Sequence, residues 1–127
     1  MRLMAHYLQL NDIDCYKHSY NLSNYVWKIV IKWDWFAKQT VGSQFVRAAD
    51  SVSANIAEGF GRYHKKEKIR FYKISFGSVS ESLDWNQKAG KRELLTDKQY
   101  QYIFEELKAL PREINQLIGY TEEKLKL

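Results

Sequence analysis

Phe45, Ala48, Ala49, Val52 and Ile56 fall at i, i+3, i+4, i+7 and i+11, the spacing that gathers side chains on one face of an α-helix. The same period runs through most of the chain and predicts four helices, at about 12–38, 43–58, 66–89 and 96–121. The first carries two apolar stripes that face largely apart, Tyr16-Tyr20-Ser23-Trp27-Val30 and Leu22-Val26-Ile29-Trp33-Phe36. In the third, Ile69, Tyr72, Phe76, Val79 and Leu83 form a core stripe, with Phe71, Ile74, Ser78 and Trp85 almost opposite. The fourth has one apolar side, Tyr100, Ile103, Phe104, Leu107, Leu110, Ile114, Leu117, Ile118 and Thr121, which continues past Pro111. That proline therefore kinks the helix without ending it.

Punctuation residues set the expected boundaries. Asn11 or Asp12 can cap the first helix and Thr96 the fourth, and Lys38–Gly42 reads as the first connection. Gly59 stands where a helix C-terminus favours a residue free to take positive φ, and Gly61 loosens the turn further. Gly77, inside the third helix, costs about 1 kcal/mol against alanine and so marks a close backbone approach. The tail from Glu122 is expected to fray. One proline and six glycines leave little material for sheet turns. The expectation is an all-α single domain over residues 1–127, an antiparallel up-down-up-down four-helix bundle.

A lone four-helix bundle needs one inward stripe per helix. The second set, Trp33, Phe36, Phe71, Ile74 and Trp85, would leave an apolar patch larger than soluble monomers tolerate, so these residues are read as an oligomer interface. Alternatively, they pack beneath the loops and the N-terminal segment.

Apolar content of 45% and charged content of 28% exclude a disordered chain. Cys15 has no intrachain partner, which fits a reducing cytoplasm, and Met1–Leu10 lacks the apolar run of a signal peptide or membrane span. The net charge of +5 is unevenly placed: residues 1–37 carry +1, residues 38–93 carry +5 and residues 94–127 carry −1. The basic excess belongs to the second and third helices and permits an acidic partner.

The densest basic run is Arg62, Lys65, Lys66, Lys68, Arg70 and Lys73, with His64, Tyr63 and Tyr72 interleaved. Such cations neutralise phosphates and such aromatics stack on unpaired bases, so the six are candidate nucleic-acid-binding residues. The plain alternative is a solvated helix start, although cations there oppose the helix dipole. Asn55, Glu58 and Arg62 share one flank; a general base with an anion clamp is conceivable, but satisfying donors at a helix end explains them more simply. Cys15 and His18 have metal-ligand spacing, yet completing a site requires His6 or His64. Gly59-Phe60-Gly61 lacks the Gly-Lys-Ser/Thr ending of a P-loop. No catalytic constellation, metal site or cofactor is expected.

The run from Arg47 through Gly59, Arg-Ala-Ala-Asp-Ser-Val-Ser-Ala-Asn-Ile-Ala-Glu-Gly, resembles the signature of the 23S rRNA intervening-sequence proteins, bacterial four-helix bundles. The block Phe71–Glu81 is similar to that family's third helix, and the likeness extends from about Asp12 to Leu125. Ser53 stands where many members carry proline, which implies a less bent second helix. The resemblance implies a ring-like homopentamer in which Asn55, Glu58 and Gly59 are structural motif residues. Relatives are encoded within intervening sequences of 23S rRNA genes. A similar bundle, the accessory variability determinant of diversity-generating retroelements, partners a reverse transcriptase and its RNA. The expected function is that of a non-enzymatic oligomeric bundle binding nucleic acid, RNA or DNA with structured RNA favoured, through its basic surface. The alternatives are a scaffold docking a reverse transcriptase or other protein partner, and a small-ligand pocket in the aromatic core.

Overall fold

The computed structural model describes residues 8–124. His6, most of the N-terminal segment and the last three residues lie outside them. The regular elements are a 3-10 turn at Leu10–Asp12, α1 at Asp14–Val30, α2 at Trp35–Ala37, a π-helical turn at Lys38–Gly42, α3 at Ser43–Gly61, α4 at Lys65–Lys91 and α5 at Asp97–Lys124. No strand occurs among the described residues. Because α2, the π turn and α3 follow without a break, the chain makes four long rods. Each of α1 and α4 packs against both α3 and α5.

The first helix is shorter than its periodicity implies, and the turn comes earlier. Lys32 N–H and Trp33 N–H donate to the Ile29 and Val30 carbonyls, tightening the end of α1. Asp34 then takes an extended conformation and its Oδ1 accepts from Ala37 N–H at 2.9 Å, capping the next helix. The apolar period ran unbroken through Val30-Ile31-Trp33-Phe36 and concealed this stop. Lys38–Gly42, expected as the connection, is helical instead. Gly42 is there for packing: a Cβ at that position would lie 2.7 Å from Val30 Cγ1. Thr40 Oγ1 and Ser43 Oγ donate to the i−4 carbonyls of Phe36 and Gln39, a habit that accompanies the widened π turn. At the other end of α1, Asp12 caps the 3-10 turn by accepting from Gln9 N–H, so neither Asn11 nor Asp12 starts the α-helix.

The core faces of α3 and α5 lie where the pattern puts them. Phe45, Ala48, Ala49, Val52 and Ile56 are buried, as are Ile103, Leu107, Leu110, Ile114, Leu117, Ile118 and Thr121. Helix α5 continues through Pro111 and on to Lys124, past the expected fraying point. Helix α4 is rotated from its predicted face. Its buried seam is Tyr72, Ser75, Val79, Ser82, Asn86 and Ala89, a strict 3-4-3-4-3 spacing, while Ile69, Phe76 and Leu83 are half-buried. Serines replace bulk here, and they satisfy themselves on backbone. Ser75 Oγ donates to the Val52 carbonyl at 2.9 Å and Ser82 Oγ to the Ser78 carbonyl at 2.8 Å. Those bonds offset the expense of burying hydroxyls. Small side chains on both partners let α3 and α4 approach closely.

Two glycines follow from that rotation. Gly59 keeps ordinary negative φ and α3 runs on to Gly61, so the expected left-handed stop is absent. Its role is proximity: a Cβ there would meet Tyr72 Cε1 at 2.7 Å and the Lys68 carbonyl oxygen at 2.8 Å. Gly77, read from sequence as the close approach, faces outward, and a Cβ there would meet nothing within 4 Å.

At the α4–α5 connection, Glu93 adopts φ 61°, and Leu94 N–H donates to the Ala89 carbonyl at 2.9 Å. This is the left-handed residue of a helix C-terminal motif, normally glycine. Glu93→Gly is therefore expected to raise stability by up to about 1 kcal/mol. A thermal melt that fails to rise would contradict the strain. Thr96 caps α5 as expected: its Oγ1 accepts from Gln99 N–H and Gln99 Oε1 accepts from Thr96 N–H, both at 3.0 Å.

Candidate nucleic-acid interface

The end of α3 and the start of α4 meet through a short bend at Arg62–His64, where Arg62 and His64 are extended, next to the C-terminal turn of α5. An open groove of about 1010 Å³ lies there, lined by His64, Lys65, Lys66, Glu67, Ile69, Arg70, Lys73 and Glu122. Four of the six predicted phosphate-binding residues thus share one depression; Arg62 and Lys68 lie outside it.

The six cations are not equivalent. Lys68 Nζ donates to the Phe60 carbonyl at 2.7 Å, closing the C-terminal end of α3, and partial burial lowers its pKa from the usual lysine range. Lys65 Nζ donates to the Glu122 carbonyl at 3.1 Å, in the last turn of α5. Cations at these ends favour the local dipole, so both have a structural task. Arg62 pairs with Glu58 at 2.7 Å and Arg70 with Glu67 at 3.4 Å. Their guanidinium carbons also lie 4.7 and 4.6 Å from the Phe71 ring centroid, so one phenylalanine orders two arginines. Lys66 and Lys73 are exposed and have no ion-pair partner among the described residues. With Arg70 they recur at i, i+4 and i+7 along one face of α4.

The interleaved aromatics divide sharply. Tyr72 is 1% exposed and belongs to the core, where burial pushes its phenol up to about 12. Tyr63 is 71% exposed. Periodicity had already set Tyr72 on the core stripe of the third helix and left Tyr63 in the turn before it, and the burial follows that division.

The proposed interface residues are likewise split. Phe36 and Trp85 line one apolar groove of about 660 Å³ together with Asp34, Ala37 and Leu94. Phe71 is engaged with the arginines, Ile74 is exposed elsewhere on α4, and Trp33 is half-buried against the core. Sequence reasoning placed Trp27 on one of the two apolar stripes of the first helix and gave Trp35 no role. Both are exposed, Trp35 by 73%, as are Ile31 and Phe36, so the corner where α1 passes into α2 carries four exposed apolar side chains. Recognising Asp34 as an N-cap would have revealed it.

The motif residues hold structure. Asn55 Nδ2 donates to the Ser51 carbonyl at 2.8 Å and to Ser51 Oγ at 2.9 Å, and Ser51 Oγ bonds Ser78 Oγ of α4 at 2.7 Å. Glu58 neutralises Arg62, and Gly59 seats Tyr72. Cys15 is buried, and desolvation, with Glu113 adding to it, pushes its thiol up to about 12. His18 instead contacts both Glu113 oxygens at 2.9 Å. Among the described residues no three His, Cys, Asp or Glu side chains are grouped to hold a metal, and no helix is long and apolar enough to cross a membrane.

Comparison with known proteins addresses lineage. No curated protein matches the chain. It is similar in fold to a solved structure from Bacteroides thetaiotaomicron VPI-5482, described as a protein of unknown function from the S23 ribosomal protein family. The TM-score is 0.72 at 17% identity, covering 82% of this chain and 97% of that one. The sequence profile described as 23S rRNA-intervening sequence protein matches residues 11–116, most of the chain. The chain belongs to the 23S rRNA-intervening sequence protein family.

Proposed function

We propose that the protein is a non-enzymatic, single-domain bundle that self-associates and binds nucleic acid, structured RNA above all, through the groove between α4 and α5. One observation carries this reading: Lys65, Lys66, Arg70 and Lys73 converge on one open groove. The RNA connection in the family's name supports RNA over other polyanions. Phosphates are the natural counter-charge, because each contact releases counterions and requires no base identity.

The helices run antiparallel in this reading. Supporting it, Ser51 meets Ser78, Val52 meets Ser75 and Gly59 lies against Tyr72, so rising numbers on α3 match falling numbers on α4. Trp27, Ile31, Trp35 and Phe36 support burial against further copies, and the family resemblance implies a ring of five. Repeating the groove around a ring would add avidity without new contacts. The compartment is the cytoplasm.

The test is a titration of a structured RNA at increasing salt. If Lys66, Arg70 and Lys73 each engage a phosphate, the logarithm of affinity falls against log salt with a slope of about −2 to −3 per groove. Affinity that ignores salt would overturn the reading. A second reading is a protein-docking scaffold, favoured by the same apolar corner; it predicts no salt-sensitive RNA binding.

A further inference from the structure

Aromatic side chains on this basic face differ in what they leave open. Phe71 is covered by two guanidinium groups, Phe60 has Lys68 Nζ at 5.4 Å from its centroid, and Tyr72 is buried. Tyr63 is different: its ring meets His64 at 5.0 Å with the planes 78° apart, and with 71% of the residue exposed at least one face is open. His64 is itself a wall of the groove that Lys66, Arg70 and Lys73 line, so its ring contact with Tyr63 sets the tyrosine beside the groove's His64 end.

The segment that carries Tyr63 is held at both ends. Arg62 N–H donates to the Gly59 carbonyl at 3.1 Å, and Lys68 N–H donates to the His64 carbonyl at 3.0 Å. A ring on a fixed backbone loses little freedom when something lies on it. Its open face can take a flat, electron-poor group, whereas a phosphate needs a cation. The site therefore joins two chemistries, cations along α4 and a ring beside them. In continuous duplex, the base faces are stacked on their neighbours and closed to a protein ring; in a loop, bulge or single strand they are open.

We propose that Tyr63 is a stacking platform for an unpaired base, and that the groove's ligand is RNA in which an unpaired nucleotide adjoins the phosphates held by α4. This rests on the nucleic-acid reading above and narrows it to a ligand class.

The experiment compares two probes on the full protein by fluorescence anisotropy: a hairpin RNA with an adenine-rich loop, and a blunt duplex of the same stem. Wild type, Tyr63→Ala and Tyr63→Phe are titrated with each. Tyr63→Ala is expected to weaken the hairpin by about tenfold and leave the duplex unchanged, while Tyr63→Phe, which keeps the ring, binds both as wild type does. Equal hairpin affinity for wild type and Tyr63→Ala would overturn the proposal and leave the RNA reading standing. So would an equal loss on both probes. If wild type binds neither probe at low salt, the RNA reading fails and this inference falls with it.

Discussion

Gly59→Ala is expected to destabilise the protein, and the same substitution at Gly77 to stabilise it. Both positions are inside helices, where alanine is ordinarily better than glycine by about 1 kcal/mol. At Gly77 the added methyl meets nothing within 4 Å, so that gain should appear in full as a melting temperature higher by a few degrees. At Gly59 the methyl would sit 2.7 and 2.9 Å from two Tyr72 ring carbons and 2.8 Å from a backbone oxygen of α4. Tyr72 is fully buried and cannot swing away, and the Lys68 carbonyl belongs to the opposing helix. Overpacking of this kind costs about 1–3 kcal/mol, enough to reverse the propensity gain. Opposite signs in a pair of thermal melts would support the α3–α4 packing. Equal shifts would mean that the helices are not so closely apposed at Gly59.

The second large effect is on binding. Lys66→Glu combined with Lys73→Glu is expected to reduce RNA affinity by well over tenfold at moderate salt and leave the melting temperature unchanged. Both lysines are exposed, and neither is in an ion pair among the described residues. Reversal replaces attraction by repulsion at two points of the same groove, and it also lowers the salt slope. Lys68→Glu is the contrasting variant. Its ammonium closes the end of α3 on the Phe60 carbonyl, and a carboxylate there would oppose the dipole. A loss of about 1 kcal/mol in stability is expected, with a smaller effect on RNA. If the Lys68 change weakens RNA as strongly as the double reversal does in still-folded protein, the assignment of tasks among the cations is wrong.

Much of this architecture was legible from periodicity. The stripes on α3 and α5 consist of bulky or small apolar residues at regular spacing, and they are buried as the pattern requires. What was hidden has two physical causes. Serine looks polar in sequence, yet along α4 it donates to a carbonyl and is buried, so the true seam is displaced from the Ile69-Tyr72-Phe76 stripe. An apolar period can also cross a turn, which is why the stop after Val30 was concealed. That error moved Trp35 and Phe36 from a corner onto a helix assumed continuous. The basic cluster was visible as composition, but composition treats six cations alike. Only geometry distinguishes Lys65 and Lys68, engaged with helix ends, from Lys66 and Lys73.

The central claim is that an oligomer of this bundle presents its α4 groove to RNA. Light-scattering mass on the purified protein, with and without a structured RNA, at low and high salt, tests it most directly. The expected result is a multi-subunit mass that rises when RNA is added at low salt and returns to its starting value at high salt. A monomer, or an oligomer whose mass is indifferent to RNA at every salt concentration, would contradict it.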